Sequence, residues 1–292
     1  MFSGSLVAIA TPMQADGQLD FAGWQRLIDF HLENGTTGVV VGGTTGESPS
    51  LTDAELGELT RRACTQAAGR MQVIAGGGTS STASTVDKVR WLSQLPIDGL
   101  LIVTPAYNRP TQEGLFRHYE AAAAASRVPL IAYNVPSRTA VDMLPATVAR
   151  IAQLPRLVAV KEAVASMDRV REIVALAPEN FVVLSGDDAT AREAVLNGAR
   201  GVISVTANVA PRGMADVMAA AARGDAAAAQ QLDAPLAALH QSLFCEANPI
   251  PVKWALARMG LVAPGIRLPL TPLAPQFHAV VEQALRQAGV LR

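Results

Sequence analysis

Residues 129–161 read PLIAYNVPSRTAVDMLPATVARIAQLPRLVAVK. Two short apolar runs, Pro129–Tyr133 and Leu157–Lys161, bracket a helix-length segment at 145–153. Continuous apolar runs of this length suit strands buried on both faces, as in a parallel sheet. Parallel neighbours need a crossover connection, and a helix supplies it. The same unit recurs along the chain. Earlier runs are Leu6–Ala10, Gly38–Gly42, Gln72–Gly76 and Gly99–Val103; later ones are Phe181–Ser185 and Gly201–Val205. Eight runs, each followed by a helical segment, predict a closed (β/α)₈ TIM barrel. Periodicity alone leaves an open doubly wound sheet as the alternative. Its G-x-G-x-x-G fingerprint is absent, since Gly76-Gly77-Gly78 lacks that spacing.

Local signals punctuate the helices. Asp20 stands at an N-cap position and Asn34-Gly35 at a C-cap, around the helically spaced Phe21, Trp24, Leu27, Ile28 and His31. Thr52 and Glu55 predict a capping box, and Leu51 with Leu56 a hydrophobic staple. Further helical segments are expected near 82–94, 112–126, 167–177, 188–197 and 211–222. Beyond about 224 the apolar runs stop, and 225–243, 250–260 and 272–289 read as helices separated by prolines. The expected organisation is a barrel over 1–224 and a helical region over 225–292.

Half of the 292 residues are hydrophobic and 17% are charged, which excludes a disordered chain. A net charge of −1 gives no sign of nucleic acid or an anionic membrane as partner. Two cysteines, Cys64 and Cys245, make no disulfide framework and suit a reducing cytosol. The N-terminal MFSGSLVAIATP has no signal-peptide pattern, and no stretch of about 18 apolar residues could span a membrane. A cytoplasmic protein is expected. His31, His118, His240 and His278 lack ligand spacing, so no metal is expected. Asp187-Asp188 read as caps for the helix that follows.

Barrel active sites lie at the C-terminal ends of the strands. Only three lysines occur. Lys88 reads as solvated between Asp87 and Arg90, and Lys253 as a surface residue of a C-terminal helix. Lys161 ends an apolar strand, where a buried ammonium costs several kcal/mol unless it is paired or neutral. Desolvation lowers a lysine pKa by up to about 3–5, which makes the neutral amine a nucleophile. An ion pair with Glu162 or an Asp of the seventh loop is the structural alternative. Among the three tyrosines, Tyr119 reads as helix packing. Tyr133 ends the preceding strand and can face the amine, while Tyr107 follows the strand before that. Hydroxyls of Thr44, Tyr133 and Tyr107 suit a proton relay, and Tyr107 equally suits packing at a subunit contact. Glycines and threonines at 42–46 offer main-chain N–H groups for an anion, and Arg138 a fork for a carboxylate or an ordinary surface charge.

Three motifs carry a family resemblance: Gly43-Thr44-Thr45-Gly46-Glu47-Ser48, Tyr133-Asn134-Val135-Pro136-Ser137-Arg138-Thr139 and Lys161-Glu162-Ala163. Leu184-Ser185-Gly186-Asp187-Asp188, Gly201–Asn208 and Asn248-Pro249-Ile250-Pro251-Val252-Lys253 extend it over nearly the whole chain. The sequence resembles the class I, lysine-dependent pyruvate aldolases, and within them the dihydrodipicolinate synthase family. The resemblance implies that Lys161 forms a Schiff base with pyruvate. It makes Tyr133 the proton donor and acceptor, with Thr44 and Tyr107 completing a relay. Thr45, Gly186 and the main chain at Ile203 become substrate-binding positions, and Arg138 takes the carboxylate of L-aspartate 4-semialdehyde. It further implies a place in the diaminopimelate route to lysine, with no metal or diffusible cofactor beyond the covalent imine. The implied assembly is a homotetramer of tight dimers, with Tyr107 donated across the dimer contact. The alternatives are another Schiff-base pyruvate aldolase, of the sugar-acid or N-acetylneuraminate type, and a non-catalytic carboxylate-binding barrel. The Arg138 motif argues against the first, and retention of Lys161, Tyr133 and Thr44 against the second. One departure stands out. Lysine-inhibited relatives typically carry His, His, Asn, Glu and Tyr where this chain has Asp53, Leu56, Ser80, Ser84 and Ala106. Weak or absent feedback inhibition by L-lysine is expected.

Overall fold

In the computed structural model, which describes residues 1–291, eight parallel strands close into a barrel in sequence order. They are β1 (Gly4–Ala8), β2 (Gly38–Val41), β3 (Gln72–Gly76), β4 (Gly99–Val103), β5 (Leu130–Asn134), β6 (Leu157–Glu162), β7 (Val182–Ser185) and β8 (Gly201–Ser204). β8 pairs back onto β1, so the open-sheet alternative is excluded.

Side-chain alternation divides the apolar residues into two cores. Leu6, Ala8, Val40, Ile74, Leu101, Ile131, Ala159, Leu184 and Ile203 fill the barrel interior. Their strand neighbours Val7, Val39, Val41, Val73, Leu100, Ala132, Val160 and Val183 face the surrounding helices. Each buried valine, leucine or isoleucine among them contributes about 1.5–3 kcal/mol, which is why uninterrupted apolar runs mark these strands.

β1 begins two residues earlier than its apolar run suggests. Gly4 and Gly201 are register partners, and a Cβ on Gly201 would stand 2.2 Å from the Gly4 carbonyl oxygen. Glycine permits that approach, so the ladder starts at a residue hydropathy passes over. At the other end Ala10 leaves the ladder and donates its N–H to Asn208 Oδ1 at 2.9 Å.

Between the strands run α1 (Phe21–Glu33), α2 (Asp53–Ala67), α3 (Thr82–Leu92), α4 (Gln112–Ala125), the one-turn α5 (Pro136–Thr139), α6 (Pro145–Ile151), α7 (Met167–Leu176), α8 (Ala191–Leu196) and α9 (Pro211–Ala222). Asp20 caps α1 by accepting from the Gly23 N–H, and Thr52 with Glu55 closes the capping box on α2. Lys88 of α3 is not freely solvated: its side chain is 16% exposed and meets Asp53 of α2 at 3.4 Å. α3 lies against α2 in this stretch, so its polar face meets the acidic first turn of its neighbour. Of the two aspartates of the seventh loop, the second differs from expectation. Asp187 accepts from Thr190, but Asp188 accepts from the N–H groups of Val205 and Thr206, both at 2.9 Å. It ties the seventh loop to the eighth rather than capping a helix.

Past residue 225 come α10 (Ala226–Asp233), α11 (Ala237–Ser242), α12 (Ile250–Arg258) and α13 (His278–Gln287). α12 reaches back to the barrel. Lys253 was expected at the surface, yet it is 5% exposed and ion-paired with Glu47. Among the described residues no helix is long and apolar enough to cross a membrane, and no cluster of His, Cys, Asp and Glu could hold a metal ion.

Candidate active site

Tyr133 and Lys161 occupy equivalent register positions on β5 and β6 and both point inward. Tyr133 is 6% exposed and Lys161 5%, and Lys161 Nζ lies 4.4 Å from the centre of the Tyr133 ring. Among the described residues no carboxylate pairs with Lys161. Glu162 is the next residue on β6 and therefore faces outward, where Arg169 Nε of α7 donates to it at 3.0 Å. Asn134, the residue after Tyr133, donates to both Glu162 oxygens at 3.1 Å. Arg169 also grips Asp142 at 2.7 Å and 3.0 Å. Burial pushes the Glu162 carboxyl above the usual carboxylate range, opposed by the Arg169 charge. A saturated polar network thus backs the two inward residues, and the ion-pair alternative for Lys161 is not realised with either Glu162 or the seventh-loop aspartates.

The inward pair opens into a cavity of about 230 Å³ at the C-terminal mouth, lined also by Thr44, Thr45, Arg138 and Gly186. The wall at Thr44–Thr45 is a tight turn. The Gly46 and Glu47 N–H groups donate to the carbonyls of Gly43 and Thr44, each at 3.1 Å. Among the described residues the Thr44 and Thr45 N–H groups have no protein acceptor, and the Thr44 hydroxyl has no hydrogen-bond partner. Gly42 turns the chain at φ 62°, and a Cβ there would strike Leu56 Cδ1 at 2.4 Å. At Gly186 a Cβ would come within 3.1 Å of Lys161 Cε, so glycine keeps the lysine stem unobstructed. Arg138 projects from α5 at the rim. Its guanidinium donates to the Asn248 carbonyl at 3.3 Å and forms no ion pair among the described residues.

Of two further expected positions, one was to contribute only its main chain and the other lies apart from the cavity wall. Ile203 is 1% exposed, with its side chain in the barrel interior rather than among the lining residues. Tyr107 is 91% exposed on the loop after β4, at φ 72°, and does not line the cavity of its own chain. Conversely, Asn248, Phe244 and Ser137 line it and were not anticipated. Asn248 donates to Thr45 Oγ1 at 3.0 Å, and its own Oδ1 is buried without a partner among the described residues. Its place beside Pro249 reads in sequence as loop punctuation.

(β/α)₈ proteins hold their chemistry at this mouth. A buried amine and a phenol facing one another there put the chain in the class of barrel enzymes equipped with a strand-end lysine. Comparison with known proteins narrows that class. The dihydrodipicolinate synthetase family matches residues 1–288, and the chain belongs to that family. It is 55% identical over 291 residues to the 4-hydroxy-tetrahydrodipicolinate synthase of Methylococcus capsulatus, covering 100% of both chains. It is 52% identical over 290 residues to the enzyme of that name from Azoarcus sp., covering 99% of each. Among solved structures it is similar to the chloride-inhibited dihydrodipicolinate synthase of Acinetobacter baumannii complexed with pyruvate, with TM-score 0.98, 45% identity and 100% coverage of both chains.

Proposed function

We propose that the chain condenses pyruvate with L-aspartate 4-semialdehyde through an imine on Lys161, giving 4-hydroxy-tetrahydrodipicolinate in the diaminopimelate route to lysine. The observation that carries this reading is the Lys161 amine, buried at a strand end over the Tyr133 ring with no carboxylate partner among the described residues. The names of the relatives support the reaction, and the pyruvate complex of the Acinetobacter baumannii enzyme supports the first substrate.

The neutral amine adds to the pyruvate ketone, and loss of water gives the imine. Once protonated, the imine draws electrons from C3, so a C3 proton leaves and an enamine forms. The enamine carbon attacks the aldehyde of the second substrate. The amino group of that substrate then attacks the imine carbon, displaces Lys161 and closes the ring. Tyr133 gives and takes protons in these steps, with Thr44 and Tyr107 extending the relay. The unpaired N–H groups at Thr44 and Thr45 suit the pyruvate carboxylate, with Gly186 and the main chain at Ile203 completing its surroundings. Arg138, with no carboxylate of its own, suits the carboxylate of the semialdehyde. The exposed Tyr107 supports its donation across a dimer contact to a second copy, within a homotetramer built from tight dimers. The barrel of 1–224 is the catalytic unit and 225–292 completes its mouth. The imine is the only covalent intermediate carrier; no metal or diffusible cofactor takes part, and the enzyme acts in the cytoplasm.

Borohydride reduction in the presence of pyruvate, followed by peptide mass mapping, tests this. The peptide bearing Lys161 gains a reduced pyruvate adduct. An unmodified peptide, or full turnover by Lys161→Arg, overturns the proposal.

A further inference from the structure

We propose that the buried Glu47–Lys253 ion pair is a positioning clamp for the Thr44–Thr45 turn, so that α12 sets the affinity of the pyruvate subsite. The inference rests on reading that turn as the pyruvate carboxylate site.

Glu47 and Lys253 are 2% and 5% exposed, and Lys253 Nζ donates to Glu47 Oε1. The other carboxylate oxygen accepts from the Arg267 N–H at 3.3 Å. Arg267 spreads its guanidinium over Glu55, Ser50 and Gly17, so Lys253 is the cation in direct contact with the Glu47 carboxylate and the Arg267 charge acts on it only from a distance. Glu47 holds a left-handed φ of 57°, a conformation that a non-glycine residue keeps only where its surroundings impose it. Its N–H closes the turn onto the Thr44 carbonyl at 3.1 Å. The same C-terminal segment touches the turn again through Asn248 and Thr45 Oγ1, at 3.0 Å. Two buried charges are expensive as a stability device, because apolar residues of similar size often serve as well. A fixed hydrogen-bond direction is what apolar residues cannot supply. Without it the turn keeps its sequence and loses the aim of its N–H groups.

The test uses Glu47→Gln, Lys253→Met and the double variant, each read by pyruvate-dependent borohydride trapping and by thermal melting. Every folded variant is expected to need about tenfold more pyruvate for half-maximal trapping, with the limiting rate within about threefold of wild type. The double variant, having no uncompensated buried charge, melts closer to wild type than either single variant and still shows the raised pyruvate requirement. Should a single variant fail to fold, the double variant decides. A half-saturation within about twofold of wild type in a folded variant overturns the clamp and leaves the pair a purely structural element. Absence of trapping in wild type overturns the functional reading itself, and the clamp with it.

Discussion

Lys161 and Tyr133 are register partners on adjacent parallel strands, and the lysine nitrogen stands 4.4 Å from the tyrosine ring centre. Adjacent strands in a barrel cannot slip without moving every inward residue, so the pair is fixed by the ladder. Behind it, Asn134 and Glu162 form the next register pair and are hydrogen-bonded to each other. The ring and the hydroxyl of Tyr133 therefore have separable tasks. Tyr133→Phe keeps the ring over the amine and removes only the hydroxyl proposed to carry protons. It should fold like wild type and slow turnover by about 10²–10⁴, the usual worth of a positioned acid–base group. Near-normal turnover would remove Tyr133 from the relay.

Under the proposed function, Arg138 is the residue that tells the two substrates apart. It sits at the rim on α5, without an ion-pair partner among the described residues, while the Thr44–Thr45 turn lies deeper. Arg138→Ala should leave pyruvate trapping on Lys161 intact. The KM for the semialdehyde should rise by about 10–100-fold, matching loss of a charged hydrogen bond worth about 1.5–3 kcal/mol. Equal damage to both steps would assign Arg138 a structural task instead.

Much of this site was legible because of where rare residues fall. Lys161 and Tyr133 each end an apolar run, and strand alternation carries both inward. Asn248 and Lys253 were not legible, because their partners Thr45 and Glu47 lie 203 and 206 residues away. No local spacing encodes such contacts; only closure of the barrel and return of α12 create them. The rarity of lysine and the place of Lys253 in the Asn248–Lys253 motif were the only hints. Tyr107 shows another limit: it stands 91% exposed on its loop, and no local spacing says what it would meet. Strand limits were read well where runs are apolar throughout and slipped at β1, where a glycine pair starts the ladder.

Feedback by L-lysine should be weak. Leu56 is 1% exposed and packs beneath Gly42, and Asp53 is engaged by Lys88 at 3.4 Å. Leu56 offers no polar group, and Asp53, 72% exposed, is held only by a surface ion pair. Turnover should be essentially unchanged at about 1 mM L-lysine, a concentration corresponding to only about 4 kcal/mol of binding free energy. Half-maximal inhibition below that concentration would show that other residues have rebuilt the site.

Arg169 holds two carboxylates, Glu162 and Asp142. Arg169→Met leaves Glu162 buried without its counter-charge, a change expected to cost about 3–5 kcal/mol near neutral pH. Burial already raises the Glu162 carboxyl, and losing the cation raises it further. A group with a raised folded-state pKa adds stability as pH falls. The variant's deficit relative to wild type, measured by urea unfolding, should therefore shrink in acid. A deficit that stays constant in acid would show that lost packing, not a lost counter-charge, sets the cost.

Two histidines set an opposite trend for the wild-type fold. His31 bonds the Thr36 hydroxyl at 2.9 Å and His118 the Thr82 hydroxyl at 3.0 Å, each through Nδ1, and both Nε2 atoms are buried without partners among the described residues. Desolvation lowers His31 to about 3 and His118 to about 4. Once pH drops below the unfolded value of 6.5, the unfolded chain takes up protons at these positions and the folded chain does not. Stability is thus fully present above that value and declines as pH falls toward the folded ones. Each pH step is worth about 1.4 kcal/mol per histidine, so each should remove about 2 kcal/mol by about pH 5. Urea unfolding between neutral pH and about pH 5 measures the slope, in a window above the range where most carboxylates titrate. His118→Gln should roughly halve it. An unchanged slope in that variant would mean that the His118 ring accepts its proton in the folded state, by opening the contact with Thr82.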